Sequence, residues 1–114
     1  MLYCQALQAK LVEVETSEEN SYLRLHLFDI GRQSSVDFWM GMTDLVAEGH
    51  WRWMSTQSNA TFMDWYPGEP NNGNDEDCAT FGINYSWHWN DVDCTAKMNY
   101  ICEKSIKEEV SVIG

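Results

Sequence analysis

Four cysteines, Cys4, Cys78, Cys94 and Cys102, constrain this 114-residue chain more than any other feature. None lies in the close Cys-x-x-Cys pairs of a zinc site, so disulfides are the favoured reading, with three pairings open. The chain is one domain by length, spanning 1–114, with a modest core whose burial alone leaves stability marginal, and covalent staples suit such a chain. Two sequons, Asn59-Ala60-Thr61 and Asn84-Tyr85-Ser86, are candidate N-glycosylation sites and agree with an oxidising, secretory compartment.

Composition matters for what it excludes. Hydrophobic residues make up 44% of the chain and aromatic residues 13%, including six tryptophans, which rules out a disordered tail. The formal net charge of -11 argues against nucleic acids and anionic membrane surfaces, because phosphate binding needs Lys and Arg clusters. Apolar runs are only a few residues long, which predicts no membrane insertion. The opening "MLYCQALQAK" lacks the basic start and long apolar stretch of a signal peptide, so Met1 reads as an internal methionine or the start of a mature or cloned fragment.

The charge is unevenly spread. From Trp53 to Ala96 there is no Lys or Arg, yet Asp64, Glu69, Asp75, Glu76, Asp77, Asp91 and Asp93 all fall there. Acids clustered without basic partners repel one another and call for a bound cation or full solvation.

The local patterns predict an α+β fold. Leu2 to Lys10 reads as the end of a helix, and "LVEVET" as a short strand of period two. Thr16 and Glu19 have the spacing of a capping box, and Gly31 is a plausible helix stop. Between them Tyr22, Leu23, Leu25, Leu27 and Phe28 are expected to pack on the core. From Val36 onward come the β-prone pieces "VDFWMGM", "HWRWM", "CATFGI", "SWHWND" and "NYICEK", with helices first and strands later. Thr43 to Asn74 holds little regular pattern, and a loop of that length usually marks function. Trp39, Trp51, Trp53, Trp65 and Trp89 are read as core; alternation puts Trp87 on the face of Trp89 and His88 on the other.

Calcium takes six to eight oxygen ligands, and the chain offers them in two pieces. One is Glu69-Pro70-Asn71 followed by Glu76; the other is Asn90-Asp91. No EF-hand spacing is present. A site made from both pieces needs the chain to return on itself, which a bridge between Cys78 and Cys94 would enforce.

Taken in order, "EEN-SYL", "FWMGMTD", "EGHWRW", the GEPNN that follows Trp65, "EDCA", "WND" and "YICEK" make the chain resemble a C-type lectin domain of the long-loop, calcium-dependent kind. The resemblance implies two helices, small antiparallel sheets, a long calcium-binding loop and bridges Cys4 to Cys102 and Cys78 to Cys94. It also implies that Glu69, Asn71, Glu76, Asn90 and Asp91 surround the principal Ca2+. Pro70 would be the cis proline that turns Glu69 and Asn71 to one side. Two places left in an eightfold shell would take vicinal sugar hydroxyls, with the same five residues binding the sugar: Asn71 and Asn90 as donors, Glu69 and Glu76 as acceptors. In the family Glu-Pro-Asn goes with mannose-type sugars bearing equatorial 3- and 4-hydroxyls, and Gln-Pro-Asp with galactose. A second ion would use Asp44, Glu48, Asn72, Glu76 and Asp77, weakened because Asn72 stands where the family has an acid.

Family domains carry a first strand and a fuller first helix before the cysteine matched by Cys4, whereas three residues precede it here. That implies a truncated segment or a reduced terminal sheet, with "YICEK" offering an unpaired edge to another chain.

The expectation is thus a secreted lectin for mannose-type glycans in glycan recognition or innate defence, and no enzyme. A single shallow site binds weakly, which predicts a homo-oligomer. The rival keeps the fold but binds a protein or calcium-mineral surface with structural calcium, which the acidity suits; an antifreeze role is a more distant one. A glycosidase would need one carboxyl of raised pKa, whereas bound calcium keeps its ligands ionised. His26, His50 and His88 form no close motif and read as surface or structural, and disulfide cysteines cannot be nucleophiles.

Overall fold

The computed structural model describes residues 2–70 and 76–104. Both disulfides have the implied pairing: Cys4–Cys102, with Cα atoms 5.5 Å apart, joins the two ends of the described chain, and Cys78–Cys94, at 5.1 Å, closes a short loop.

Helix α1 (Leu2–Ala6) leads into β1 (Lys10–Leu11), which pairs antiparallel with β7 (Cys102–Glu103). The strand expected over "LVEVET" is therefore shorter and earlier, and its alternation misleads. Leu11, Val12, Glu13 and Val14 are all buried, because the segment is sandwiched between the sheets: Val12 N–H donates to Ile101 O and Val12 O accepts from Gly41 N–H. Buried Glu13 is satisfied by the Ser55 N–H and hydroxyl at 3.0 and 2.8 Å and by Lys10 Nζ at 3.3 Å.

Helix α2 (Ser17–Ile30) begins at the predicted cap, with Glu19 N–H donating to Thr16 Oγ1 at 3.1 Å. The reciprocal bond goes one residue further back, from Glu15 N–H to Glu19 Oε1 at 3.3 Å. Gly31 does stop the helix, donating to Leu27 O, but in a right-handed conformation that runs into a short 3-10 turn at Gly31–Gln33. Its lack of a side chain answers to packing: a Cβ there would lie 2.6 Å from Trp87 Cζ2.

The expected apolar face of α2 is largely not a core face. Leu27 is buried and Leu23 partly so, whereas Tyr22, Leu25 and Phe28 are 64%, 73% and 50% exposed. Two of the exposed residues pack on the helix itself instead, Tyr22 edge-on against His26 at 4.5 Å and Phe28 beneath the Arg24 guanidinium at 5.8 Å.

The larger sheet centres on β2 (Phe38–Thr43), with β3 (Arg52–Trp53), β4 (Cys78–Phe81), β5 (Trp89–Val92) and β6 (Asn99–Tyr100). Its antiparallel order is β3-β2-β4-β5, and β6 adds to β2 in parallel. β2 bonds β4 through a register irregularity between Trp39 and Thr43, while β4 and β5 pair regularly from Cys78–Val92 to Phe81–Trp89. These strands fall in the β-prone pieces of the sequence, with β2 and β5 each running one residue past theirs, to Thr43 and Val92. The core gathers Val14, Leu27, Met40, Met42, Trp51, Trp53, Phe81, Trp87 and Trp89. Trp39 and Trp65 are only half-buried, Trp65 packing on the cluster from outside.

Candidate functional site

The segment from Thr43 onward is pinned rather than loose. Ala60 N–H donates to Trp51 O, and the chain then runs beside β5: Trp89 N–H donates to Asp64 O at 2.8 Å and Tyr66 N–H to Trp89 O at 2.9 Å. Trp89 anchors that junction. Fully buried, it packs edge-on against Trp53, Phe62, Trp65 and Phe81, and its Nε1 donates to Asn20 Oδ1 at 2.9 Å.

The next two residues are Asn90, half-buried, and Asp91, fully buried. On the loop side Glu69 N–H donates to Tyr66 O at 2.8 Å, closing a turn, and the Glu69–Pro70 bond is cis. Glu69 therefore begins three residues from the point where the loop is bonded to the strand of Asn90 and Asp91. Glu76 stands two residues before β4, whose Ala79 pairs with Asp91. Glu69 and Glu76 also act on a common neighbour. The Tyr85 phenol is pushed above its ordinary value, first by burial and then by the charge of Glu69, with Asp37, Tyr66 and Glu76 acting in the same direction. Asn71 and Asn72 lie outside the described residues.

A second cluster takes in three of the predicted accessory residues. Carboxylate oxygens of Asp44, Glu48 and Asp77 lie within 4.8 Å of one another. Asp44 is 2% exposed; its Oδ2 accepts from Gly49 N–H at 2.9 Å, while its Oδ1 has no hydrogen-bond partner among the described residues. Asp44 N–H donates to Asp77 O at 3.1 Å, holding the loop against the approach to β4. A buried carboxylate oxygen facing two more carboxylates is costly unless a cation compensates it, so the donor set fits a hard divalent ion. Glu76 is not one of these three.

One acid of the Lys- and Arg-free stretch does have basic partners, supplied by tertiary structure. Asp64 accepts from Asn20 Nδ2 at 2.7 Å and His88 Nδ1 at 2.9 Å, with Arg24 Nε at 3.9 Å. Arg24 also donates twice to Ser86 O and lies 3.2 Å from His88 Nε2. Because a guanidinium only donates, Nε2 accepts and the His88 proton sits on Nδ1 toward Asp64. His88 is thus structural, tying α2 to the base of the site, and no spacing in the sequence announces the link. Trp87, which alternation put on the face of Trp89, is buried, but not by strand alternation, since Ser86 and Trp87 have φ of 53° and 64° and β5 begins only at Trp89. The sequon residues Asn59 and Asn84 are both exposed.

Comparison with known proteins gives these features a context. A family model described as the lectin C-type domain matches residues 1–104. A perlucin-like protein from Mytilus galloprovincialis is 40% identical over 100 residues, covering 87% of this chain and 64% of its own length. C-type lectin domain family 4 member M from Symphalangus syndactylus is 40% identical over 105 residues, covering 90% of this chain and 23% of its own length. The chain thus spans less than two thirds of either relative. Among solved structures, the mouse scavenger receptor C-type lectin carbohydrate-recognition domain superposes with a TM-score of 0.80 at 34% identity, over 91% of this chain and 76% of that one.

Proposed function

From the premise that this chain belongs to the C-type lectin domain family, we propose that it binds mannose-type sugars in a calcium-dependent way, without catalysis. The observation that carries the reading is the pinning of the Glu69 turn, through Tyr66 and Trp89, to the strand of Asn90 and Asp91. It joins the two oxygen-rich pieces that the sequence holds far apart.

Glu69, Asn71, Glu76, Asn90 and Asp91 would hold the ion, Pro70 orienting the first two. When bound, Ca2+ supplies coordination positions for two vicinal hydroxyls of the sugar. The protein's part is to read the same hydroxyls by hydrogen bonds: amides of Asn71 and Asn90 donate to them, and carboxylates of Glu69 and Glu76 accept from them. That alternation of acceptor and donor suits hydroxyls, each of which can give and take one bond. The turn hydrogen bonds fix the backbone before the sugar arrives, which lowers the ordering cost of binding.

Asp44, Glu48 and Asp77 would hold an accessory ion, with Asn72 and Glu76 contributing at its edge; the Asp44 oxygen that has no hydrogen-bond partner among the described residues favours this. Two disulfides and exposed sequons suit a secreted protein that gains avidity as a homo-oligomer. Among the described residues no helix is long and apolar enough to cross a membrane.

The test is retention on immobilised mannose. The protein is expected to be held with calcium present and released by a chelator, and Glu69→Gln with Asn71→Asp should shift preference toward galactose. A folded protein that flows through in calcium would sink the sugar reading.

A further inference from the structure

The side chains of two tyrosines beside the site have no role in the reading above. Tyr66 and Tyr85 stack with ring centroids 4.4 Å apart and planes within 20°. The stack lies outside the hydrophobic core, and Tyr66 is 37% exposed. Yet it is held firmly. Tyr66 is bonded through its N–H to Trp89 O and through its carbonyl to Glu69 N–H, so its backbone belongs to both halves of the site.

Tyr85 sits in a tight turn between Gly82 and His88, closed by Tyr85 and Trp87 N–H groups to Gly82 O and by Gly82 N–H to His88 O. Gly82 lets the ring lie close, since a Cβ there would meet Tyr85 Cδ2 at 2.6 Å. The turn is held in place by Trp87, which is buried against Gly31 and meets Phe38 edge-on at 5.8 Å.

We propose that Tyr66, backed by Tyr85, is an aromatic ledge that takes the apolar face of the sugar residue next to the coordinated mannose. The proposal rests on the mannose-type reading above and deepens it: the site recognises a disaccharide, not a terminal sugar alone. Pyranose rings present C–H faces that pack on aromatic rings, and a ring held by stacking loses little freedom on binding. The pair joins a partly exposed aromatic residue to the hydrogen-bonding and charged groups of the Glu69 turn, the combination that a sugar site requires. A purely structural stack would instead be expected to pack against the core cluster, as the neighbouring Trp65 does.

Calorimetric titration in calcium with methyl α-D-mannoside and with an α-linked mannobiose tests this on the wild type, Tyr66→Ala, Tyr66→Phe and Tyr85→Ala. The wild type is expected to bind the disaccharide several-fold tighter. Tyr66→Ala, which keeps the backbone bonds to Trp89 and Glu69, should weaken mannobiose about tenfold more than it weakens methyl mannoside, and Tyr66→Phe should keep the wild-type preference. Tyr85→Ala should act in the direction of Tyr66→Ala. If Tyr66→Ala changes the two ligands equally, or neither, the ledge is overturned although the mannose reading survives. If the folded wild type binds no methyl mannoside in calcium, the mannose reading fails and takes the ledge with it.

Discussion

Gly31 shows how one residue can carry two meanings. As a helix stop it looks like a conformational choice, but its φ of -79° is open to any residue, and what the position forbids is volume. The ring of Trp87 occupies the space of a Cβ, and a buried indole cannot swing aside. Gly31→Ala should therefore lower stability by about 1–3 kcal/mol, measured as the urea midpoint. Glu103 makes the opposite point about charge. Burial pushes its carboxyl above the ordinary range, the nearby charges of Glu13 and Glu19 push further, and the Glu13 N–H and Lys10 pull back. The folded state thus holds this proton more tightly than the unfolded chain does, so the stabilisation is present in acid and is lost as pH rises through the raised value. At neutral pH the ionised group is a liability. Glu103→Gln, whose amide oxygen can still accept from Glu13 N–H, should raise the urea midpoint at neutral pH, with the gain disappearing in acid.

At the scale of elements, α2 is positioned by polar contacts as much as by apolar ones. Its Leu27 enters the core, but Asn20 and Arg24 reach Asp64, Ser86 and Trp89, and so brace the base of the site. Leu27→Ala should cost about 2–5 kcal/mol, whereas Leu25→Lys, two residues away and 73% exposed, should change stability by less than about 0.5 kcal/mol. A denaturation series on the two variants separates the helix face that packs from the one that does not. The same bracing explains why the long irregular segment stays in place: its hydrogen bonds go to β5 and its acid goes to the helix.

For the whole molecule, the acids from Asp44 to Asp77 include two sets that the fold treats in different ways. Asp64 acquires Arg24 and His88 through folding, while Asp44, Glu48 and Asp77 converge on one another. Calcium should accordingly raise the melting temperature and a chelator lower it, by about 2.7 kcal/mol in free energy at a hundredfold excess over Kd. Asp44→Asn should shrink that calcium-dependent difference and, in chelator, melt no lower than the wild type, because it removes a buried charge. The sequence by itself determined the cysteine count, the helix cap at Thr16, the β-prone pieces and the oxygen-rich segments around Glu69 and Asn90, since each follows from residue type and short spacing. Only the tertiary structure decided which apolar residues of α2 are core, that Asp64 is paired, that Glu13 is buried and that Tyr66 stacks on Tyr85. Those contacts join groups far apart in the chain, from 19 residues for Tyr66–Tyr85 to 90 for Glu13–Glu103, and local propensity carries no information over such separations.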